Sequence, residues 1–108
     1  MRTFDSGSVR DTDEGKADYF GFTSALVTKR FGEYMLKHQK QSDGSMRGSA
    51  NWKAGIPQIE YVKSLNRHVV DVNLHLEGYQ DEARESLEDA ICAVIFNANG
   101  LLYELLKK

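Results

Sequence analysis

The sequence predicts an all-α chain: a three-helix antiparallel bundle behind an extended N-terminal arm, completed by oligomerisation. Three observations carry this reading. Apolar residues recur at helical spacing in three separate segments. Glycine-rich stretches punctuate them. The last segment is apolar on two sides, and 108 residues supply too few partners to cover both.

Residues 1–17, MRTFDSGSVRDTDEGKA, are rich in Ser, Gly and Asp and have no apolar period, which predicts a flexible arm. Residues 18–108 form the helical domain. From Tyr19 to about Gln41, Phe22, Leu26, Lys29, Arg30, Glu33 and Lys37 fall on successive turns, and Ala25, Leu26 and Met35 favour helix. Residues 42–56, SDGSMRGSANWKAGI, are a loop broken by Gly44, Gly48 and Gly55. Pro57 suits the first turn of a helix, where its missing N–H costs nothing. The second helix runs from Pro57 to Glu77, with Leu65, Val69, Val72 and Leu76 as its buried face beside Tyr61 and Val62. Gly78 ends it. Asp81 is the predicted cap of a third helix from about Glu82 to Leu106. Leu87, Ile91, Val94, Ala98, Leu101 and Leu105 form its main apolar face, and Cys92, Phe96 and Tyr103 a second one.

Composition narrows the function classes. The net charge is −2 and the 14 basic residues are scattered, so no basic stripe exists for a nucleic-acid polymer. One cysteine, Cys92, excludes an internal disulfide and fits a reducing compartment. No apolar run reads as a bilayer span of roughly 20 residues. The N-terminus lacks the apolar stretch of a signal peptide. The expected location is the cytoplasm, away from membranes.

Two rows of polar residues carry the chemistry. Ser64, His68, Asp71 and His75 are spaced i, i+4, i+7, i+11, one row on the second helix. Glu85, Glu88 and Asp89 follow at i, i+3, i+4. The Gly78–Tyr79 turn is short enough to make the two helices antiparallel neighbours, which sets the rows across one seam. Read one way, the acids are a solvated first turn favoured by the helix dipole, and the histidines are hydrogen-bonded and partly buried. Read the other way, carboxylates crowded between helices need a positive charge among them. Mg²⁺ suits oxygen ligands, and nearby imidazoles suit Mn²⁺. In the loop, Trp52 either stacks on a base or anchors the loop on the bundle, while Arg47 and Lys53 offer charge to phosphate. Lys29, Arg30, Lys37, His38 and Lys40 read mostly as a solvated face, with one or two in reach of a triphosphate if their helix borders the site.

The stretches VRDTDEGK, NWKAGIP, RHVVDV and LEDAICAVIFN, in this order and spacing, resemble the phage and bacterial dATP/dGTP diphosphohydrolase family, and the likeness spans nearly the whole chain. The resemblance implies a MazG-like all-α nucleotide pyrophosphohydrolase fold, a homo-oligomer (dimer or tetramer) and Mg²⁺ or Mn²⁺. It implies hydrolysis of a purine deoxynucleoside triphosphate to monophosphate and pyrophosphate. HVVD, His68 to Asp71, stands where that family has ExxE, and ESLED, Glu85 to Asp89, where it has EExxD. His68 replaces a carboxylate and Ser86 the second glutamate. The metal set that follows is Asp71, Glu85, Glu88 and Asp89 with His68 and His75. Glu88 is the candidate general base and Asp89 its catalytic companion. Asn51 and Trp52 would hold the purine, and Arg47, Lys53 and Arg67 the phosphates. A catalytically inactive helical module that binds nucleotide or protein is the rival reading, and a purely structural oligomer a third.

Overall fold

The computed structural model describes residues 1–107. Three helices dominate it: α1 (Ala25–Lys37), α2 (Gln58–Leu76) and α3 (Leu87–Leu106). The arm holds a small antiparallel pair, β1 (Arg2–Thr3) and β2 (Val9–Arg10), where the composition predicts no regular structure. Phe4 N–H to the Ser8 carbonyl at 2.8 Å and an Arg2–Asp13 ion pair at 3.1 Å hold it locally.

The boundaries show which signals act. Helix α1 starts at Ala25, not Tyr19, because the Ser24 hydroxyl accepts the Val27 N–H and caps it. Before it, the Asp18 carboxylate accepts the Gly21 N–H and holds residues 18–21 in a turn. Helix α2 matches its predicted span. At its end Tyr79 N–H donates to the Leu74 carbonyl at 2.7 Å and Gly78 N–H to His75 at 3.2 Å. That double closure requires a left-handed residue, and Gly78 sits at φ 88°. Asp81 does not cap α3. It lies in a separate 3-10 turn, Gln80–Glu82, and Ser86 is the cap, accepting the Asp89 N–H at 3.2 Å. Glu85 therefore precedes the helix rather than riding on it. The long loop contains a 3-10 turn over Asn51–Ala54 and a single bridge between Lys40 and Met46.

Helices α2 and α3 run antiparallel. Tyr61, near the start of α2, meets Gly100 near the end of α3, and Asp71, near the end of α2, meets Arg84 just before α3. The row of α3 facing α2 is small: Ala90, Ala93, Asn97 and Gly100 are all buried. Small residues on one helix leave room for large ones on the other, so Tyr61, Leu65, His68, Asp71 and Val72 turn inward from α2. The predicted inner residues Val69 and Leu76 point outward instead. On another side of α3, Cys92 and Ala93 pack with Tyr34, Phe31 and Met35 of α1.

One chain leaves much apolar surface bare. The radius of gyration is 19.1 Å, against about 13 Å for a compact domain of this length. Ile59, Val69, Val70 and Leu76 on α2 and Ile91, Leu102, Leu105 and Leu106 on α3 are exposed. By length and composition α3 also passes as a membrane-crossing helix, contrary to the expectation of no such run. Its packing against α2 and α1 gives that apolarity a second cause within the chain.

Candidate functional site

The polar rows meet where α2 ends and α3 begins. His68, Asp71 and Glu85 each place one possible ligand atom within 4.8 Å of the others. Helical spacing on α2 aims His68 and Asp71 the same way. The extended residues before the Ser86 cap then lay Glu85 against them. The Glu85 carboxylate bonds His68 Nδ1, and its backbone carbonyl accepts from His75 Nε2 at 2.6 Å. A carbonyl only accepts, so the His75 proton sits on Nε2. His75 thus positions the Glu85 backbone and is not among the three converging residues.

Asp71 is 3% exposed and answers to Arg84. The Arg84 guanidinium donates to Asp71 Oδ2 from two nitrogens, at 2.6 and 2.9 Å. This forked pair holds the Asp71 carboxyl below the usual carboxylate range, against the opposing effect of burial. Arg84 carries no signal of this role in the sequence beyond its place between two acids.

Glu88 and Asp89 belong to a second cluster. Arg30 of α1 donates to Glu88 at 2.8 Å and to Asp89 at 2.7 Å, and Lys37 pairs with the other Asp89 oxygen. Hydrogen bonds from Lys37 and then Arg30 depress the Asp89 carboxyl. Its own bonds to Asp89 and then Glu88 raise the Arg30 guanidinium. The crowded acids of the α3 entry thus have positive partners within the chain. Arg30 and Lys37 are seven residues apart on one α1 face; Lys29 keeps to the solvent with Glu33 at 3.1 Å.

These pairs make stability depend on pH with a definite sign. A carboxyl depressed by folding contributes stability above its unfolded value near 3.8 and loses it as pH falls through the lower folded value. Asp89→Asn will lower Tm at neutral pH by about 4–8 °C. The gap to the unmodified protein will close below about pH 3.8, which thermal melts followed by circular dichroism will register.

A cleft of about 790 Å³ opens beside the triad, with His68 and Ser64 in its wall. Arg47, Asn51 and Trp52 line it, as do Phe31, Tyr34 and Phe96. Burial, with the nearby Glu85 and Asp89 charges, pushes the Tyr34 phenol up to about 12, so it stays a neutral donor. Trp52 packs edge-on against Tyr103 at 5.0 Å and Phe96 at 6.2 Å. It therefore anchors the loop on α3 while forming part of the wall. Lys53 lies over the Trp52 ring at 5.6 Å. Arg67 is exposed on α2. Asn97, absent from the sequence-derived set, is buried in the same wall. Burial pushes the Cys92 thiol up, which removes it as a nucleophile.

The donor set fits a hard or borderline divalent ion. Two carboxylates and an imidazole suit Mn²⁺, and the carboxylates with substrate phosphates suit Mg²⁺. Comparison with protein-family models, curated proteins and solved structures finds no match to this chain.

Proposed function

We propose that this chain is a metal-dependent hydrolase of purine deoxynucleoside triphosphates, dATP or dGTP, releasing the monophosphate and pyrophosphate. One observation carries the reading: His68, Asp71 and Glu85 converge, and His68 also lines a cleft of about 790 Å³. His68, Asp71 and Glu85 would hold Mg²⁺ or Mn²⁺. A bound divalent ion supplies charge neutralisation to the triphosphate and eases deprotonation of water. Glu88, the more exposed acid at the α3 entry, accepts the proton of the attacking water as general base. Arg30 and Lys37 bring two positive charges beside it, where α-phosphorus attack builds negative charge. Arg47 and Lys53 serve the departing pyrophosphate. Incubation with each of the four dNTPs and Mg²⁺ or Mn²⁺ will yield monophosphate and pyrophosphate from the purine substrates. No turnover with any pairing overturns the enzyme.

The second reading, a nucleotide-binding module without turnover, draws on the ion pairs that already occupy Glu88 and Asp89. Saturable dNTP binding without pyrophosphate release would select it.

The functional unit in this proposal is a homo-oligomer of MazG-like hairpins. Ile59, Val62, Val69 and Leu76 recur on α2 at three- and seven-residue steps, and Ile91, Ala98, Leu102 and Leu105 on α3 at steps of seven, four and three. On antiparallel helices such stripes would share one side of the hairpin. A second copy laid on that side completes a four-helix bundle. Asn66 and Asn73 interrupt the α2 stripe at its heptad positions, where polar residues fix register. Light scattering will give a multiple of 12.2 kDa. Val69→Glu with Leu102→Glu will reduce it to the monomer mass, and an unchanged mass would show that this face is not the seam.

A further inference from the structure

We infer that Asn97 reads the nucleobase in the cleft and that its amide selects adenine. The inference rests on the nucleotide reading of the cleft but not on hydrolysis. Asn97 sits in the α3 row that packs on α2, among Ala90, Ala93 and Gly100. An apolar or small residue would serve packing there, and a buried amide is costly unless its groups are partnered. Asn97 is 5% exposed, and its Nδ2 donates to the Ala93 carbonyl at 2.8 Å. Among the described residues that is its only side-chain hydrogen bond. A side-chain amide carries two N–H donors and a carbonyl acceptor. One N–H and the carbonyl are therefore left over, and the residue lies in the cleft wall.

The rest of the wall suits a flat ring. Phe31, Tyr34, Trp52 and Phe96 supply aromatic surface to the same cleft. His68 lines the same cleft, so the triad adjoins it. One donor beside one acceptor complements the N7 acceptor and N6–H donor of adenine. Guanine shows two acceptors, N7 and O6, on that edge and would leave the Asn97 carbonyl facing an oxygen.

The test uses the full chain without added metal. Calorimetric titration with 2′-deoxyadenosine, deoxyguanosine, deoxycytidine and thymidine will give the tightest binding for deoxyadenosine, about tenfold or more over deoxyguanosine. 7-Deaza-2′-deoxyadenosine, which lacks the N7 acceptor, will lose about tenfold on the unmodified protein. Asn97→Asp keeps the volume and removes the donor, so it will bind deoxyadenosine at least about tenfold more weakly while inorganic triphosphate binding stays within twofold. Equal affinity for the four nucleosides, or an undiminished 7-deaza analogue, overturns the inference without using any variant. Base-indifferent dNTP hydrolysis would sink it and leave the enzyme standing. Adenine-selective nucleoside binding without turnover would do the reverse.

Discussion

Gly100→Ala will destabilise the α2–α3 hairpin by about 1–2 kcal/mol, although alanine is the better helix former. A Cβ at position 100 would overlap Tyr61 Cε1 and Cζ and lie 2.7 Å from the hydroxyl. Tyr61 is the largest fully buried side chain and its ring touches Phe96 at a 6.1 Å centroid distance, so it has nowhere to swing. The helices must separate instead, which opens the contacts of Ala93 and Asn97 as well. Helix propensity returns about 1 kcal/mol and overpacking costs up to about 3, so the clash wins. Thermal melts will show a Tm lower by about 4–16 °C. Tyr61→Leu in the same chain should recover most of that loss, because it removes the atoms the methyl meets. Tyr61→Phe alone should cost little, since among the described residues the buried Tyr61 hydroxyl has no hydrogen-bond partner to lose. A Gly100→Ala protein as stable as its parent would mean that α2 and α3 are farther apart than described here.

The same contact shows what was and was not legible in the sequence. Pro57 and Gly78 bracket α2 through backbone chemistry, a missing N–H and a left-handed φ, and both act locally. The predicted span of α2 was accordingly close. The inward face was not, because Val69 and Leu76 look like core residues by hydrophobicity alone. The small row on α3 decides which α2 residues fit between the helices, and that is a property of the pair. Ser86 and Asp81 are both reasonable caps. The 3-10 turn at Gln80–Glu82 uses up Asp81 before the helix begins. At the site, the spacing of His68 and Asp71 told which way they point, and Glu85 joined them from outside the helix. Arg30, Lys37 and Arg84 reach their carboxylates through the docking of α1 and the conformation of residues 83–86. No periodicity reports either. Asn97 was hidden for a different reason: in an apolar run it looks like a tolerated exception until the cleft gives it a face.

On the proposed hydrolase reading, Asp71→Asn will lower kcat/KM for dNTP hydrolysis about 100-fold or more, a loss of roughly 3 kcal/mol of transition-state stabilisation. The substitution keeps shape and removes charge. Its carbonyl oxygen can still accept from the Arg84 guanidinium, whose two bonds converge on Oδ2, while the Arg84 backbone N–H, 3.4 Å from Oδ1, loses its acceptor. The chain should therefore fold, with a modest fall in Tm from a weaker bond. What it loses is one of the two carboxylates in the triad. A role confined to packing would leave the metal requirement alone. In a metal site, fewer anionic ligands mean weaker binding, so the Mn²⁺ concentration for half-maximal activity will rise about tenfold or more. Glu60→Gln, which removes an exposed carboxylate from the same helix, should leave both readouts within twofold. Turnover retained in Asp71→Asn at an unaltered metal requirement would detach the triad from the chemistry. Asp71 would then be accounted for by Arg84, and Glu88 and Asp89 by Arg30 and Lys37, as charges that fasten helices rather than gather an ion.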